Sequence, residues 1–348
     1  MLIARAPLRI SLAGGGTDLP AYYERHPGLV VSTTIDKFVY ARVAQNESRS
    51  AQIMSADYQM SYLHGGGVPM NWDGDLALPR ATLHELDIHE GLSIFLASEV
   101  PPGTGLGSSS AMAVALVQAL AVYRRLPLSR LEIAEAACRI EIEKLKAPIG
   151  KQDQFAAAFG GLNAIHLTSS GVSVEPLSVA PGLKERLNRR LLLFFTGTAR
   201  SSATILRTQQ QASADGDRKT IDGLHAIRAL ADTCLGLLER GDLDGIGELL
   251  HEGWQRKRAL AAGITSDRID HLYAVARERG ALGGKITGAG GGGFLLLYCH
   301  EGRQSDVVAA LESMGLRRME IGFEEHGVMV SSLAWQSASD LVATRATA

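Results

Sequence analysis

The chain has little cysteine, almost no net charge and no long apolar run. Its three cysteines, Cys138, Cys234 and Cys299, lie far apart and form no C-x-x-C pair, which argues against a disulfide framework and a structural zinc site. The 35 basic and 37 acidic residues leave a formal net charge of −2, so no overall positive field draws the chain to nucleic acid or to an anionic membrane. No apolar run approaches the roughly 20 residues that span a bilayer.

The first residues also lack the pattern of a secretory leader. Pro7 and the glycine run that starts at Gly14 come too early for the apolar stretch of a signal peptide. We therefore expect a cytoplasmic protein whose partners are small molecules, and neither nucleic acid nor a membrane. An anionic ligand must then be held by a local site. The oligomeric state stays open, with a homodimer as one option.

Strand and helix patterns alternate through both halves of the chain, which predicts an α+β fold. A change of composition near residue 180 predicts a domain boundary, with domains at 1–180 and 181–348. Strands are predicted at 8–13, 28–34, 38–44, 92–100, 191–196, 294–298 and 327–333. Helices are predicted at 108–125, which is apolar nearly all round and therefore buried, and at 129–146, 200–212, 222–240, 242–261, 266–279 and 304–314.

The segment 101–111 carries the strongest chemical signal. Three glycines alternate with other residues and lead into three serines and a long apolar helix. Glycine permits positive φ angles that turn several N–H groups toward one point, and a helix N-terminus attracts phosphate. The alternative is a Gly–Ser turn that only starts a helix. We predict an ATP phosphate-binding loop made of Pro102, Gly103, Thr104, Gly105, Leu106, Gly107, Ser108, Ser109 and Ser110.

A second glycine run, residues 288–293, contains the pattern G-x-G-x-x-G. It precedes the predicted strand 294–298, whereas a dinucleotide fingerprint follows a strand and opens a helix, so a hydride-transfer enzyme is disfavoured. A P-loop is excluded because G-x-x-x-x-G-K-[ST] is absent. Five glycines in six positions indicate close approach of the main chain to a ligand or to another loop; a tight turn is the alternative. We place Gly288, Gly290 and Gly291 in substrate binding.

Carboxylates lie on the predicted helix 129–146 and in the loop after it. A kinase needs them to hold Mg²⁺ against the triphosphate and to accept or orient the proton of the acceptor hydroxyl. Asp153 suits the second role, and Glu141 or Glu143 the first. Arg9 and Asp18 flank a polar loop after the first strand, where a sugar can be hydrogen-bonded; a turn or cap role for Asp18 is the alternative.

Together these segments resemble the GHMP-superfamily kinases, which include galactokinase, homoserine kinase, mevalonate kinase and phosphomevalonate kinase. The N-terminal, middle and C-terminal motifs of that family are matched in order by Ala6-Pro7-Leu8-Arg9 with Thr17-Asp18, by 101–111 and by 285–293. The resemblance implies the two-domain GHMP kinase fold, with an N-terminal domain like ribosomal protein S5 domain 2 and a ferredoxin-like C-terminal domain. It also implies ATP and Mg²⁺ as cofactors and an active site between the domains.

The resemblance assigns roles to residues. The family's catalytic aspartate lies in a Gly-x-x-Asp-Gln context, which Asp153 matches, and its Mg²⁺-binding glutamate precedes it by about a dozen positions, which selects Glu141 over Glu143. Ser109 would be the second metal-side ligand. Lys151 is expected to neutralise charge on the transferred phosphoryl group. Arg9 is expected to polarise the acceptor hydroxyl, and the sugar is expected to contact Gly15, Gly16, Thr17 and Asp18.

Residues 5–20 and 34–37 are more similar to the D-glycero-α-D-manno-heptose 7-phosphate kinases of this superfamily than to galactokinases, which carry Gly-Glu-His-Thr-Asp where this chain has Gly15-Gly16-Thr17-Asp18. That branch phosphorylates a sugar phosphate at the anomeric O1, and its 1,7-bisphosphate leads to GDP-heptose for capsule, S-layer or lipopolysaccharide. The alternatives are a kinase for fucose, galactose or an N-acetylhexosamine, and a non-catalytic nucleotide or sugar sensor. Candidates for a second anion site are Arg25, His26, Lys37, Lys151 and Arg200, and Tyr62 and Trp72 are candidates to flank adenine or sugar.

Overall fold

The structure is a computed structural model, and residues 1–48, 50–65, 70–89, 91–197 and 203–332 are described. Strands and helices mix along the whole chain, as predicted. In chain order the elements are β1 (Leu2–Ala13), α1 (Pro20–Tyr23), β2 (Gly28–Gln45), β3 (Ala51–Ser55), β4 (Met60–His64), α2 (Ala77–Glu85), β5 (Leu92–Ser98), α3 (Ser108–Tyr123), α4 (Arg130–Cys138), a π-helix (Arg139–Lys144), α5 (Gln152–Phe159), β6 (Leu162–Thr168), β7 (Gly171–Pro176), α6 (Leu183–Arg190), β8 (Leu191–Phe195), α7 (Ala203–Ala214), α8 (Arg218–Arg240), α9 (Leu243–Arg258), α10 (Asp267–Glu278), β9 (Ala281–Ile286), β10 (Phe294–Cys299), α11 (Gln304–Ser313), β11 (Arg317–Met319) and β12 (Met329–Ser332).

The first sheet contains eight of the described strands, in the order β12–β1–β2–β5–β3–β4, with β6 paired to β2 and β7 to β6. β2 is one strand of 18 residues, where the sequence predicted two. It pairs with β1 along nearly its whole length, and the register shifts between Pro7 and Leu8, opposite Asp36 and Lys37. This β-bulge accommodates the polar pair that interrupts the apolar pattern, so the ladder continues past it.

Helix α3 packs on β1 and β2 and forms the centre of the first core. All its residues from Ala111 to Ala121 except Gln118 are buried, which confirms the expectation from its all-round apolar sequence. α4 and α5 pack against α3. Because β1 and α3 share this core, the end of β1 and the start of α3 are held at fixed positions relative to each other.

The second sheet is antiparallel, in the order β11–β8–β10–β9, and α9 and α10 pack against β9. After this sheet the chain returns to the first one, where β12 pairs with β1 from Leu2↔Ser332 to Arg5↔Met329. The domain boundary near 180 stays a prediction. No helix in the described part of the chain is long and apolar enough to cross a membrane.

Candidate active site

A cavity of about 330 Å³ lies where loops of both sheets meet. Its walls come from the end of β1 and the turn after it, from the 103–110 loop, from the segment between the π-helix and α5, and from α8, α9 and the 285–289 segment. The sequence motifs, which are up to 280 residues apart, therefore converge on one space.

The glycine–serine loop forms one wall of this cavity. Gly107 precedes α3 with φ of 79°, and no side chain caps the helix. The first N–H groups of a helix have no intrahelical acceptor, and Gly107, Ser108, Ser109 and Ser110 all line the cavity. Gly103 and Gly105 line it as well. The loop therefore presents the unpaired donors and the positive helix end that suit a phosphate.

The other loop residues predicted to bind nucleotide hold the loop in place. Leu106 and Thr104 are fully buried, and the Leu106 carbonyl accepts from the Arg9 N–H at 3.1 Å. The Thr104 carbonyl accepts from the Thr287 hydroxyl at 3.0 Å. Pro102, Thr104 and Leu106 do not line the cavity, so their side chains are placed to support the loop.

Asp153 lies at the start of α5, facing this loop. Its Oδ1 accepts a hydrogen bond from Arg9 Nε at 2.7 Å and forms an ion pair with Arg9 Nη2 at 2.6 Å. Arg9 Nη1 also donates to the Gly105 carbonyl at 2.7 Å. A Cβ placed on Gly107 would lie 3.1 Å from Asp153 Oδ2. Arg9 thus joins β1, the loop and α5, and it leaves Oδ2 of Asp153 beside the loop.

Glu141 and Ser109 form a second polar pair in the cavity. The Ser109 hydroxyl donates to Oε1 of Glu141 at 2.9 Å, and Gln154 Nε2 donates to Oε2 at 2.6 Å. Burial raises the pKa of Glu141 to about 7, since no cation compensates the lost hydration. Glu143, the rival metal ligand, is exposed. A buried carboxylate beside a hydroxyl, without a cationic partner, fits a site for Mg²⁺.

The backbone around Glu141 departs from the predicted continuous helix 129–146. The Leu145 N–H bonds to the Ile140 carbonyl, an i→i+5 bond of 3.0 Å, and residues 139–144 form a π-helix. Such single π turns re-aim side chains and often occur at functional sites. Here the turn accompanies the inward placement of Glu141.

Asp18 is buried and its carboxylate is held by the protein. Oδ1 accepts from the Gly16 N–H at 2.9 Å, and Oδ2 accepts from the N–H and the Nε2 of Gln152 at 3.3 and 3.0 Å. Burial and the nearby charge of Asp153 raise its pKa. A Cβ on Gly150 would lie 1.9 Å from Oδ2. Glycine at 150 therefore allows the first motif to dock against the segment that carries Asp153.

Among the other sugar-binding candidates, Gly15, Gly16 and Asp18 line the cavity, whereas Thr17 does not. The buried Thr17 hydroxyl donates to the carbonyls of Gly14, at 2.8 Å, and Leu29, at 3.1 Å. It therefore anchors the turn after β1. The presence of Thr17 in the motif is explained by this turn, which reverses the chain between β1 and α1.

The second glycine run approaches other loops closely. A Cβ on Gly288 would lie 2.6 Å from the Cα of Gly105, and the Gly291 N–H donates to the Ile264 carbonyl at 2.8 Å. Gly288 lines the cavity, whereas Gly290 and Gly291 do not. The glycines thus let two loops pack together. The sequence predicted a close approach either to a ligand or to another loop, and the contact found here is with another loop.

Two cations that sequence reasoning missed lie in the cavity wall, Lys257 of α9 and Lys285 of β9. Lys285 belongs to the segment that matches the C-terminal motif, which was a usable signal. Lys257 lies in a basic run with Arg256 and Arg258, and nothing in that run distinguishes it. Lys151 is not part of the cavity wall, and its ammonium lies 5.2 Å from the ring centroid of Tyr23.

The described residues among those proposed for a second anion site do not line the cavity. Arg25 is exposed, Lys37 pairs with the neighbouring Asp36 at 3.0 Å, and the ring of His26 lies 4.6 Å from that of His225. Arg200 falls outside the described residues. The two aromatic candidates, Tyr62 and Trp72, pack against other side chains and do not line the cavity.

Comparison with known proteins identifies the family of this chain. The profile of the GHMP kinases N terminal domain matches residues 77–161, and that of the GHMP kinases C terminal domain matches 234–316. The D-glycero-alpha-D-manno-heptose 7-phosphate kinase of Campylobacter jejuni is 30% identical over 330 residues, 93% of this chain and 97% of that protein. The chain belongs to the GHMP kinase family.

Solved structures of similar proteins support the same assignment. A D-glycero-D-manno-heptose 1-phosphate kinase from Bacteroides thetaiotaomicron is 28% identical, with a TM-score of 0.80 over 96% of this chain and all of that chain. A putative sugar kinase from Campylobacter jejuni is 28% identical, with a TM-score of 0.78 over 95% of this chain and 98% of that chain. This GHMP kinase is therefore an ATP-dependent sugar kinase with the two-sheet fold of its family.

Proposed function

We propose that this GHMP kinase transfers the γ-phosphoryl group of ATP to the anomeric O1 of D-glycero-α-D-manno-heptose 7-phosphate, giving the 1,7-bisphosphate. The observation that carries the proposal is the position of Asp153, whose Oδ1 is held by Arg9 and whose Oδ2 faces the phosphate-binding loop. An acceptor hydroxyl that reaches that oxygen would lie next to the loop to which we assign the nucleotide phosphates, as phosphoryl transfer requires. The kinship with a heptose 7-phosphate kinase supports this acceptor.

In this mechanism Asp153 accepts the proton of the attacking hydroxyl at Oδ2. Arg9 fixes the carboxylate by a hydrogen bond from Nε and an ion-pair contact from Nη2, both to Oδ1, and also holds the loop through the Gly105 carbonyl. It therefore sets the distance between the base and the nucleotide phosphates, which is the main contribution that a protein makes to phosphoryl transfer. Asp18 and Gly16, which line the same cavity, would contact the sugar.

The nucleotide phosphates would bind at the start of α3, on the free N–H groups of residues 107–110. Glu141 and Ser109 would hold Mg²⁺, which neutralises phosphate charge during transfer. Glu141 must be ionised for this role, and a divalent cation beside it stabilises that state. ATP as phosphoryl donor favours a cytoplasmic reaction, with the product used for GDP-activated heptose in surface polysaccharides.

The proposal is tested by measuring ADP release with a panel of acceptors. The panel contains D-glycero-D-manno-heptose 7-phosphate, the corresponding 1-phosphate, the unphosphorylated heptose, fucose, galactose and an N-acetylhexosamine. We expect the highest kcat/KM with the 7-phosphate, and a phosphorus NMR signal of a new anomeric phosphate. A higher kcat/KM for any unphosphorylated sugar would overturn the proposal.

The panel includes heptose 1-phosphate for a separate reason. The similar enzyme from Bacteroides thetaiotaomicron is described as a heptose 1-phosphate kinase, which makes this sugar phosphate a second candidate acceptor. The two candidates differ in which oxygen receives the phosphoryl group, so the position of the new phosphate in the product separates them.

A further inference from the structure

Lys257 and Lys285 stand out because they are cations in the cavity wall without a carboxylate partner. Lys257 donates to the Gly288 carbonyl, and Lys285 donates to the Ser11 hydroxyl at 3.2 Å. Within the described part of the chain, neither ammonium forms an ion pair with Asp or Glu. The third cation of the cavity, Arg9, is already paired with Asp153. Two ammonium groups are therefore available to an anionic ligand.

The surroundings of the two lysines favour such a ligand. Burial and the charge of Arg9 lower the pKa of Lys257 to about 8, against the opposing effect of Asp18, and burial, Lys257 and Arg9 lower the pKa of Lys285 to about 7. The ammonium of Lys257 thus raises the cost of charging Lys285. An anion between them would relieve both the repulsion and the lost hydration. A phosphate dianion suits two lysines, because ammonium groups bind it as point charges from different sides.

The hydrogen bond of Lys285 places that lysine on the acceptor side of the cavity, and Lys257 lies beside it, bonded to the Gly288 carbonyl near Gly105. Ser11, the partner of Lys285, lies two residues after Arg9, so both side chains leave the same face of β1. A Cβ on Gly15 would lie 3.5 Å from the Ser11 hydroxyl, which brings Lys285 to the turn predicted to contact sugar. The nucleotide phosphates have their own donors at the start of α3.

We propose that Lys257 and Lys285 form the subsite for the phosphate group that the sugar acceptor already carries, and that they make the enzyme select phosphorylated over unphosphorylated sugars. The inference rests on the proposed function, since it requires a sugar phosphate as acceptor. Neither lysine is needed for the proton transfer assigned to Asp153, so their loss changes recognition of the acceptor more than the chemical step.

The test compares Lys257→Met, Lys285→Met and the control Lys219→Met, an exposed lysine of α8. Calorimetric titrations measure the affinity for heptose 7-phosphate, for heptose 1-phosphate, for unphosphorylated heptose and for a non-hydrolysable ATP analogue with Mg²⁺. Losing one hydrogen bond to a charged group costs on the order of 10- to 100-fold in affinity. We expect that loss for the preferred sugar phosphate in each cavity variant, with nucleotide affinity within about threefold and the control unchanged.

Turnover of the variants gives a second readout. With the sugar phosphate, KM should rise by the same factor while kcat changes less, and Lys285→Arg should restore part of the affinity because it keeps the charge. Thermal unfolding of every variant checks that it is folded. If a methionine variant is unfolded, it is replaced by Lys257→Gln or Lys285→Gln, which keep a polar end on the side chain.

Several results would overturn the subsite. These are unchanged sugar-phosphate affinity in the cavity variants, an equal loss for unphosphorylated heptose, a loss of nucleotide affinity as large as that for the sugar phosphate, or no binding of either sugar phosphate to the wild-type enzyme. If the wild type binds heptose 7-phosphate through these lysines but transfers no phosphoryl group to it, the proposed function fails while the subsite stands.

Discussion

Arg9 donates a hydrogen bond from Nε to one oxygen of Asp153, Oδ1, and its Nη2 lies 2.6 Å from that same oxygen, which leaves the other oxygen beside Gly107. The guanidinium is almost fully buried, and the carboxylate keeps 23% of its side-chain surface exposed. The pair is therefore rigid on one side and accessible on the other. This arrangement suits a base that must be fixed relative to the phosphate-binding loop and still reach an acceptor.

Asp153→Asn should remove the base while keeping the fold. The amide has nearly the same shape but cannot take a proton, and losing a positioned base costs on the order of 10² to 10⁴ in rate. We expect kcat to fall by that factor in a coupled ADP-release assay, with nucleotide affinity and melting temperature close to those of the wild type. Turnover within a few-fold of the wild type would remove Asp153 from this role.

Gly107→Ala should lower activity through the same carboxylate. The added Cβ would lie 3.1 Å from Asp153 Oδ2, and φ at Gly107 is 79°, which costs a non-glycine residue about 1 kcal/mol or more. We expect a lower melting temperature and a loss of kcat. Gly302→Ala is the matched control, because its φ is 80° and its Cβ would meet no atom within 4 Å. The control should lose stability without losing kcat; equal activities of the two variants would contradict the prediction.

Glu141→Gln should stabilise the ligand-free enzyme at alkaline pH. Burial raises the pKa of Glu141 to about 7, so the folded state binds this proton more tightly than the unfolded state. The free energy of unfolding then falls as the pH rises from the unfolded pKa through 7, by at most about 3 kcal/mol. The glutamine of the variant does not ionise, so its free energy of unfolding lacks this pH dependence.

Denaturant titrations check the Glu141 prediction. The variant should be more stable than the wild type at pH 8, and the difference should shrink at pH 5, where the wild-type carboxyl is protonated. Mg²⁺ with ADP should raise the melting temperature of the wild type more than that of the variant. A wild type that is as stable as the variant at pH 8 would show that the carboxylate carries no desolvation cost.

Gly150→Ala should separate the first motif from the segment that carries Asp153. The new Cβ would lie 1.9 Å from Asp18 Oδ2, so the two segments must move apart. Overpacking of this kind costs roughly 1–3 kcal/mol, and the displaced Asp153 should also lower kcat. Gly65→Ala, whose Cβ would meet no atom within 4 Å, is the control for a glycine replaced in open space. A fully active and stable Gly150→Ala enzyme would contradict this account.

Much of the fold was predictable because strong local patterns decided it. Helix α3 is apolar on every side and starts after a glycine loop, so its start and its burial followed from the sequence, while its end falls two residues before the predicted one. The strands β8 and β10 are uninterrupted apolar runs. Asp36 and Lys37 misled the prediction, because they split β2 into two runs that the pairing with β1 joins.

Side-chain placement in the site depended on contacts between distant segments. In the family, the metal-binding glutamate precedes the catalytic aspartate by about a dozen positions, and this spacing selected Glu141 over Glu143. The π turn that contains Glu141 leaves no signal in the sequence. Lys257 looks like any basic residue at the end of an amphipathic helix, where cations complement the helix dipole. Only the approach of α9 to the Gly288 turn brings it to the cavity.

The return of β12 to the first sheet has a practical consequence for anyone who divides this protein. A fragment that stops at residue 180 would leave the outer edge of β1, residues 2–5, without its neighbour, and an open edge of that kind promotes aggregation. A fragment of residues 1–180 should therefore carry the segment 329–332 as a fused strand. A circular permutant that keeps this strand next to β1 in the chain would serve the same purpose.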